Sequence, residues 1–224
     1  MKNGITELVF ILDKSGSMWG MEKDTIGGFN SMIEKQKNVE GKALVSTVLF
    51  ANESTVLHDR KPLEQIKPLT RKDYVPDGST ALLDAIGEAI RHISNVHKYA
   101  REEDVPEHTI FIITTDGMEN SSRRYTFDKI KEKIELQEKK FGWEFVFAGA
   151  NIDAVEVGSR MGLGRGSVVN YDVCEDTADF YANLDCVVRE CRINGAPPKD
   201  WTRLFEEDMK AKKASRNNGK KKNN

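Results

Sequence analysis

The apolar residues of this chain follow two alternating periods. Unbroken apolar runs of strand length stand at Glu7–Leu12 (ELVFIL), Thr109–Thr115 (TIFIITT) and Glu144–Ala148 (EFVFA). Runs this short, with no polar alternation, predict strands covered on both faces. Between them the apolar residues recur at helical spacing. Ile26, Phe29, Met32 and Ile33 predict a helix over Asp24–Lys37, and Leu82, Ile86, Ala89, Ile90, Ile93 and Val96 one over Ala81–His97. Phe127, Ile130 and Ile134 predict a third over Phe127–Lys140. Ala43–Ala51 and Ser54–His58 read as strands separated only by Asn52–Glu53, which predicts an antiparallel hairpin. A short helix (Ala154–Met161) and a short strand (Ser167–Asn170) follow. A long helix then presents Ala178, Tyr181, Leu184, Val187, Val188 and Cys191 on one face, and Pro197–Pro198 introduce a terminal helix around Trp201–Met209. Gly27 and Gly28 lower helix propensity in the first helix, so close packing on a neighbour is expected there.

Strand–helix alternation with doubly buried strands implies an α/β protein: a mostly parallel central sheet with helices on both faces. Such sheets place their chemistry beyond the carboxyl ends of the strands. Asp13-Lys14-Ser15-Gly16-Ser17 follows the first strand, Asp116-Gly117 follows the strand at 109–115, and Asp77-Gly78-Ser79-Thr80 precedes the Ala81 helix. Taken singly, each is an ordinary turn or helix cap. Together they bring two carboxylates (Asp13, Asp116) and three hydroxyls (Ser15, Ser17, Thr80) to one sheet edge, with no His or Cys nearby. An all-oxygen set suits a hard cation such as Mg²⁺, with Mn²⁺ or Ca²⁺ as alternatives, and not zinc. Neutral hydroxyl ligands leave the cation electrophilic enough to accept a further carboxylate from outside.

These segments carry a resemblance. Phe10–Met18 (FILDKSGSM), Asp77–Ile86 (DGSTALLDAI) and Ile112–Asn120 (IITTDGMEN) resemble the three parts of the metal-ion-dependent adhesion site of von Willebrand factor A (VWA) domains. Phe145–Ala154 (FVFAGANIDA) resembles the fifth strand of small stand-alone bacterial or phage members. The likeness runs from about Thr6 to Arg192. It implies a Rossmann-like, doubly wound sheet with one antiparallel edge strand. It also implies that Ser15, Ser17 and Thr80 bind Mg²⁺ directly while Asp13 and Asp116 act through water. The expected function is a metal-dependent protein-binding module, an adaptor or scaffold whose protein partner donates an Asp or Glu to the metal.

Composition adds limits. The chain has 224 residues, enough for one domain over 1–208 (core about 6–192, terminal helix about 197–209) followed by a basic tail at 210–224. No run approaches the ~18 apolar residues of a membrane span, and the N-terminus (MKNGITELVF) does not read as a secretory signal. Three cysteines without a C-x-x-C pair favour a reducing, cytoplasmic setting. Seven of the 34 basic residues and no acid lie in 209–224, leaving 27 basic against 36 acidic residues, so a body near −9 precedes a tail of +7. An acidic body disfavours nucleic-acid binding by the fold itself; the tail, expected to be disordered, is the only route to it. Met18, Trp19 and Met21 either pack under the first loop or, with Trp19 exposed, offer an apolar anchor beside the metal. Trp19, Glu119 and Asn151 are the expected partner-binding rim, while Asp153 is expected to cap the next helix. His58, His92, His97 and His108 are scattered and no G-x-x-x-x-G-K-[ST] is present, so neither a catalytic histidine nor an ATPase is expected. The enzymatic alternative is a Mg²⁺-dependent phosphoryl-transfer hydrolase built on Asp13. That chemistry wants a second carboxylate two residues on, where Ser15 stands.

Overall fold

The computed structural model describes residues 4–171 and 173–207. Six strands, β1 (Ile5–Asp13), β2 (Lys42–Phe50), β3 (Ser54–Pro62), β4 (His108–Thr115), β5 (Glu144–Ala150) and β6 (Val168–Tyr171), form one sheet in the order β3-β2-β1-β4-β5-β6. All neighbours are parallel except β3, which returns antiparallel along β2 as the edge strand. Helices α1 (Glu22–Gln36), α2 (Leu82–Tyr99), α3 (Phe127–Phe141), α4 (Ala154–Arg160) and α5 (Val173–Asn194) cover both faces. This is the mostly parallel sheet with helices on both faces expected from the alternation, in the Rossmann-like, doubly wound form with one antiparallel edge strand that the resemblance implies.

β1 shows why the apolar runs are unbroken. Leu8, Phe10 and Leu12 face one layer, with Phe29 and Met32 of α1, Leu184 and Val188 of α5, and Trp201 and Phe205 of the terminal helix at 201–207. Val9 and Ile11 face the other, with Ile86 and Ile90 of α2, Ile130 and Ile134 of α3 and Ala154 of α4. With water excluded from both faces, each such side chain contributes about 1.5–3 kcal/mol. Of the two early glycines of α1, only Gly28 is forced by packing, since a side chain there would overlap the Tyr181 ring; Gly27 faces open space.

Two features depart from the apolar pattern. β3 runs on to Pro62, past the expected end at His58. Its last residues are polar because it is an edge strand with an exposed flank, and its pairing follows the β2 backbone through a bulge instead of its own hydrophobicity. Glu7, inside the buried run, is fully enclosed. Its two carboxylate oxygens meet Arg60 Nε of β3 (2.6 Å) and His97 Nε2 of α2 (2.5 Å), so a buried acid is neutralised from within the molecule. The terminal helix is described to residue 207; the basic tail expected at 210–224 lies outside the described residues.

Candidate metal centre

The sheet order sets the site. β2, β1 and β4 are adjacent and parallel, so Phe50, Asp13 and Thr115 end at the same edge. The segment before α2 is laced to the loop after β1 by Asp77 N–H to Lys14 O (2.9 Å) and Gly16 N–H to Gly78 O (2.9 Å). Ala81 N–H to Ala51 O (2.9 Å) ties the same segment to the end of β2. Gly78 has φ +70° and lies against the Asn52 side chain, whose Oδ1 accepts Ser79 N–H at 2.7 Å. A left-handed residue in so close a contact calls for glycine.

This lacing brings three hydroxyls together. Ser15 Oγ and Ser17 Oγ are 3.1 Å apart. The position that a Cβ on Gly117 would take is 3.0 Å from Thr80 Oγ1, 3.4 Å from Ser17 Oγ and 3.9 Å from Ser15 Oγ. The missing side chain of Gly117 thus leaves a cradle walled by hydroxyl oxygen. Thr80 is not consumed as a helix cap: the N-cap of α2 is Ala81, without a capping side chain. Around the hydroxyls, Asp13 Oδ1 accepts Ser15 N–H (2.7 Å) and Asp13 Oδ2 accepts Thr115 Oγ1–H (2.6 Å), while Asp116 Oδ1 accepts Ser17 Oγ–H (2.5 Å). Behind them the Tyr74 hydroxyl donates to the Asp13 carbonyl.

The electrostatics are those of an uncompensated acid pair. Burial pushes the Asp13 carboxyl above its ordinary range, against the hydrogen bonds from Thr115 and Ser15 and with help from the charge of Asp116. Burial likewise raises Asp116, opposed by Ser17. Neither forms an ion pair among the described residues, unlike Glu7 at the far end of the same strand. No cluster of three or more His, Cys, Asp or Glu side chains able to hold a metal exists among the described residues. The available donors are therefore two desolvated carboxylates and three convergent hydroxyls. Their chemistry fits a hard divalent cation, which would supply the positive charge that the carboxylates lack.

The expected rim residues part company. Trp19 is 64% exposed beside the loop, whereas its neighbour Met18 is buried. Glu119 points into the molecule: its carboxylate accepts Leu83 N–H of α2 (2.9 Å), Ser121 and Ser122 N–H (3.0 and 2.8 Å) and Ser122 Oγ–H (2.7 Å). Asn151 is exposed just after β5 with φ +55°. Asp153 caps α4 through Glu156 N–H (3.0 Å). The four histidines are engaged elsewhere, with Thr47, Asp59, Glu7 and Glu107.

Two further residues fasten the site, and of these Asp84 was not singled out by the pattern. Asn120 and Thr80 exchange two hydrogen bonds, Thr80 N–H to Asn120 Oδ1 (2.9 Å) and Asn120 N–H to Thr80 O (3.1 Å). Asp84 accepts the backbone N–H groups of Arg123, Arg124 and Tyr125, each at 2.9 Å. An acid within the apolar face of the first turn of α2 was the signal for Asp84. Met118 and Val75, exposed on loops at this edge, also went unmarked.

No protein-family model matches the chain, and no curated protein matches it in sequence. Solved structures do match it. Proximal thread matrix protein 1 of the mussel byssus, solved with a zinc-occupied metal-ion-dependent adhesion site (MIDAS) motif, superposes at TM-score 0.57 and 14% identity, over 83% of this chain and 46% of that one. VWA2 of Sulfolobus acidocaldarius, a paralog of ArnB, does so at TM-score 0.54 and 19% identity, over 84% and 45%. Manganese-loaded TRAP protein of Plasmodium vivax gives TM-score 0.53 and 18% identity, over 80% and 72%. The chain spans less than half the length of the first two. The fold is that of von Willebrand factor A domains.

Proposed function

We propose that this protein is a metal-dependent protein-binding module with no catalytic activity of its own. The observation that carries the reading is the convergence of Ser15, Ser17 and Thr80 hydroxyls on the Gly117 cradle, beside two buried carboxylates that have no ion-pair partner among the described residues. Ser15, Ser17 and Thr80 would hold Mg²⁺ directly, and Asp13 and Asp116 would do so through water. When bound, the cation would offer a Lewis-acidic position to a carboxylate from a partner protein. The zinc and manganese named for two of the structural neighbours are in keeping with a divalent ion at this edge.

The chain's own residues argue for binding over turnover. Hydrolysis needs a nucleophile or a base free to act. Both oxygens of Asp13 already accept hydrogen bonds, and Ser15 occupies the place where an Asp-nucleophile phosphatase needs its second acid. No helix among the described residues is long and apolar enough to cross a membrane. We take residues 1–208 as one such module and 210–224 as an appended tail, in a cytoplasmic protein.

Thermal unfolding with and without Mg²⁺ or Mn²⁺ tests the metal: a ligand bound only by the native state raises Tm. Thr80→Ala should remove that rise. Capture of host proteins on the immobilised chain, with and without EDTA, tests the binding role. A Mg²⁺-dependent phosphatase activity that disappears in Asp116→Ala would refute it.

A further inference from the structure

We infer that the partner segment reaching this centre carries, two to four residues from its acidic residue, one bulky apolar side chain that seats between Trp19 and Val75–Pro76. The inference rests on the carboxylate-accepting reading above and names what else the partner must contain.

A groove of about 210 Å³ adjoins the site, lined by Trp19, Glu22, Arg71, Tyr74, Val75 and Pro76. Trp19 (64% exposed) and Val75 (47%) leave apolar surface in water on the two sides of the groove, and tryptophan is a residue type enriched at binding hot spots. The floor is rigid, because Tyr74 is buried and its hydroxyl is fixed to the Asp13 carbonyl. Tyr74 thus ties the groove to the strand end that carries Asp13, and the groove is formed before anything enters it, which lowers the cost of binding. The volume falls short of the ~300 Å³ at which pockets for drug-sized ligands begin, and suits one side chain. Arg71 and Glu22, neither ion-paired among the described residues, give the groove a polar edge of both signs, as an interface rim requires.

Chain geometry fixes the spacing. Trp19 follows Ser17 by two residues, a reach of at most about 7 Å. An extended peptide advances about 3.3 Å per residue. The Trp19 side chain and the partner's two side chains add several ångströms to that backbone span, so a carboxylate at the metal and an anchor in the groove fall two to four residues apart.

The test uses the full chain, immobilised in Mg²⁺, to select from a phage-displayed library of linear peptides with one fixed Asp among random positions, eluted with EDTA. Selected peptides should share Phe, Trp, Leu or Met at a constant offset of two to four from the Asp. Affinity of the best peptide should fall at least about tenfold in Trp19→Ala and in Val75→Ser, while Mg²⁺ affinity measured without peptide stays within about twofold. Peptides that share only the acid would overturn the groove and leave the metal reading standing, as would an apolar preference indifferent to both substitutions. The absence of any EDTA-eluted peptide would overturn both. A Mg²⁺-dependent dimer in sedimentation, lost in Trp19→Ala, would give the groove to a second copy and refute the inference.

Discussion

Gly117 shows what one absent side chain accomplishes. Its φ is not in the left-handed region, so alanine is tolerated by the backbone. The added methyl would stand 3.0 Å from Thr80 Oγ1 and crowd both serines. Gly117→Ala is expected to weaken Mg²⁺ binding at least about tenfold in titration calorimetry, with metal-free stability changed by less than about 1 kcal/mol. Asp13 makes the complementary case. Its raised native pKa means that the folded protein binds this proton more tightly than the unfolded chain, so the charged group costs stability at neutral pH. That cost is present above the raised value and disappears as pH falls through it towards the ordinary 3.8. Asp13→Asn should therefore raise the metal-free Tm at pH 7 while removing the Mg²⁺ response. The Tm difference from wild type should close on acidification, as scanning calorimetry across pH would show. Thr115 Oγ1 can accept from the new amide, because Gly117 O lies 3.1 Å away to take its proton.

The loop at 116–125 and the start of α2 behave as one element. Glu119 and Asn120 hold the near end, Asp84 the far end, and Thr80 and Asp116 are carried at the same border. Burial alone would raise the Asp84 carboxyl, but the three backbone N–H groups and Arg124 outweigh it and hold it below the ordinary range. Asp84→Ala strands those donors, and a loss of roughly 2–4 kcal/mol is expected in urea unfolding. Weaker Mg²⁺ binding should accompany it, although Asp84 is no ligand. At this scale the sequence was readable where a period repeats: β1, β4 and β5 and helices α1, α2 and α3 follow from their apolar spacing. The far half of β3 was not readable, because an edge strand takes its pairing from its neighbour. Ser15, Ser17 and Thr80 could be brought to one edge by strand-end logic alone. That they crowd around Gly117, and that Glu119 turns inward to cap α2, depends on backbone bonds between segments far apart in the chain.

Across the whole molecule, β1 spans two different treatments of a buried acid. At its start Glu7 meets Arg60 and His97; at its end Asp13 meets, among the described residues, only hydroxyl and amide donors. The first end holds its own counter-ion; among the described residues the second has none. A resident cation at the second end would silence it. Ser17 is exposed and its oxygen already touches Asp116, so Ser17→Lys would place an ammonium where the partly buried carboxylate lacks one. The expected product is a protein whose Tm no longer responds to Mg²⁺ or EDTA and which captures nothing on an affinity column. It would be a permanently closed form, made by giving this end of the strand what the other end already has.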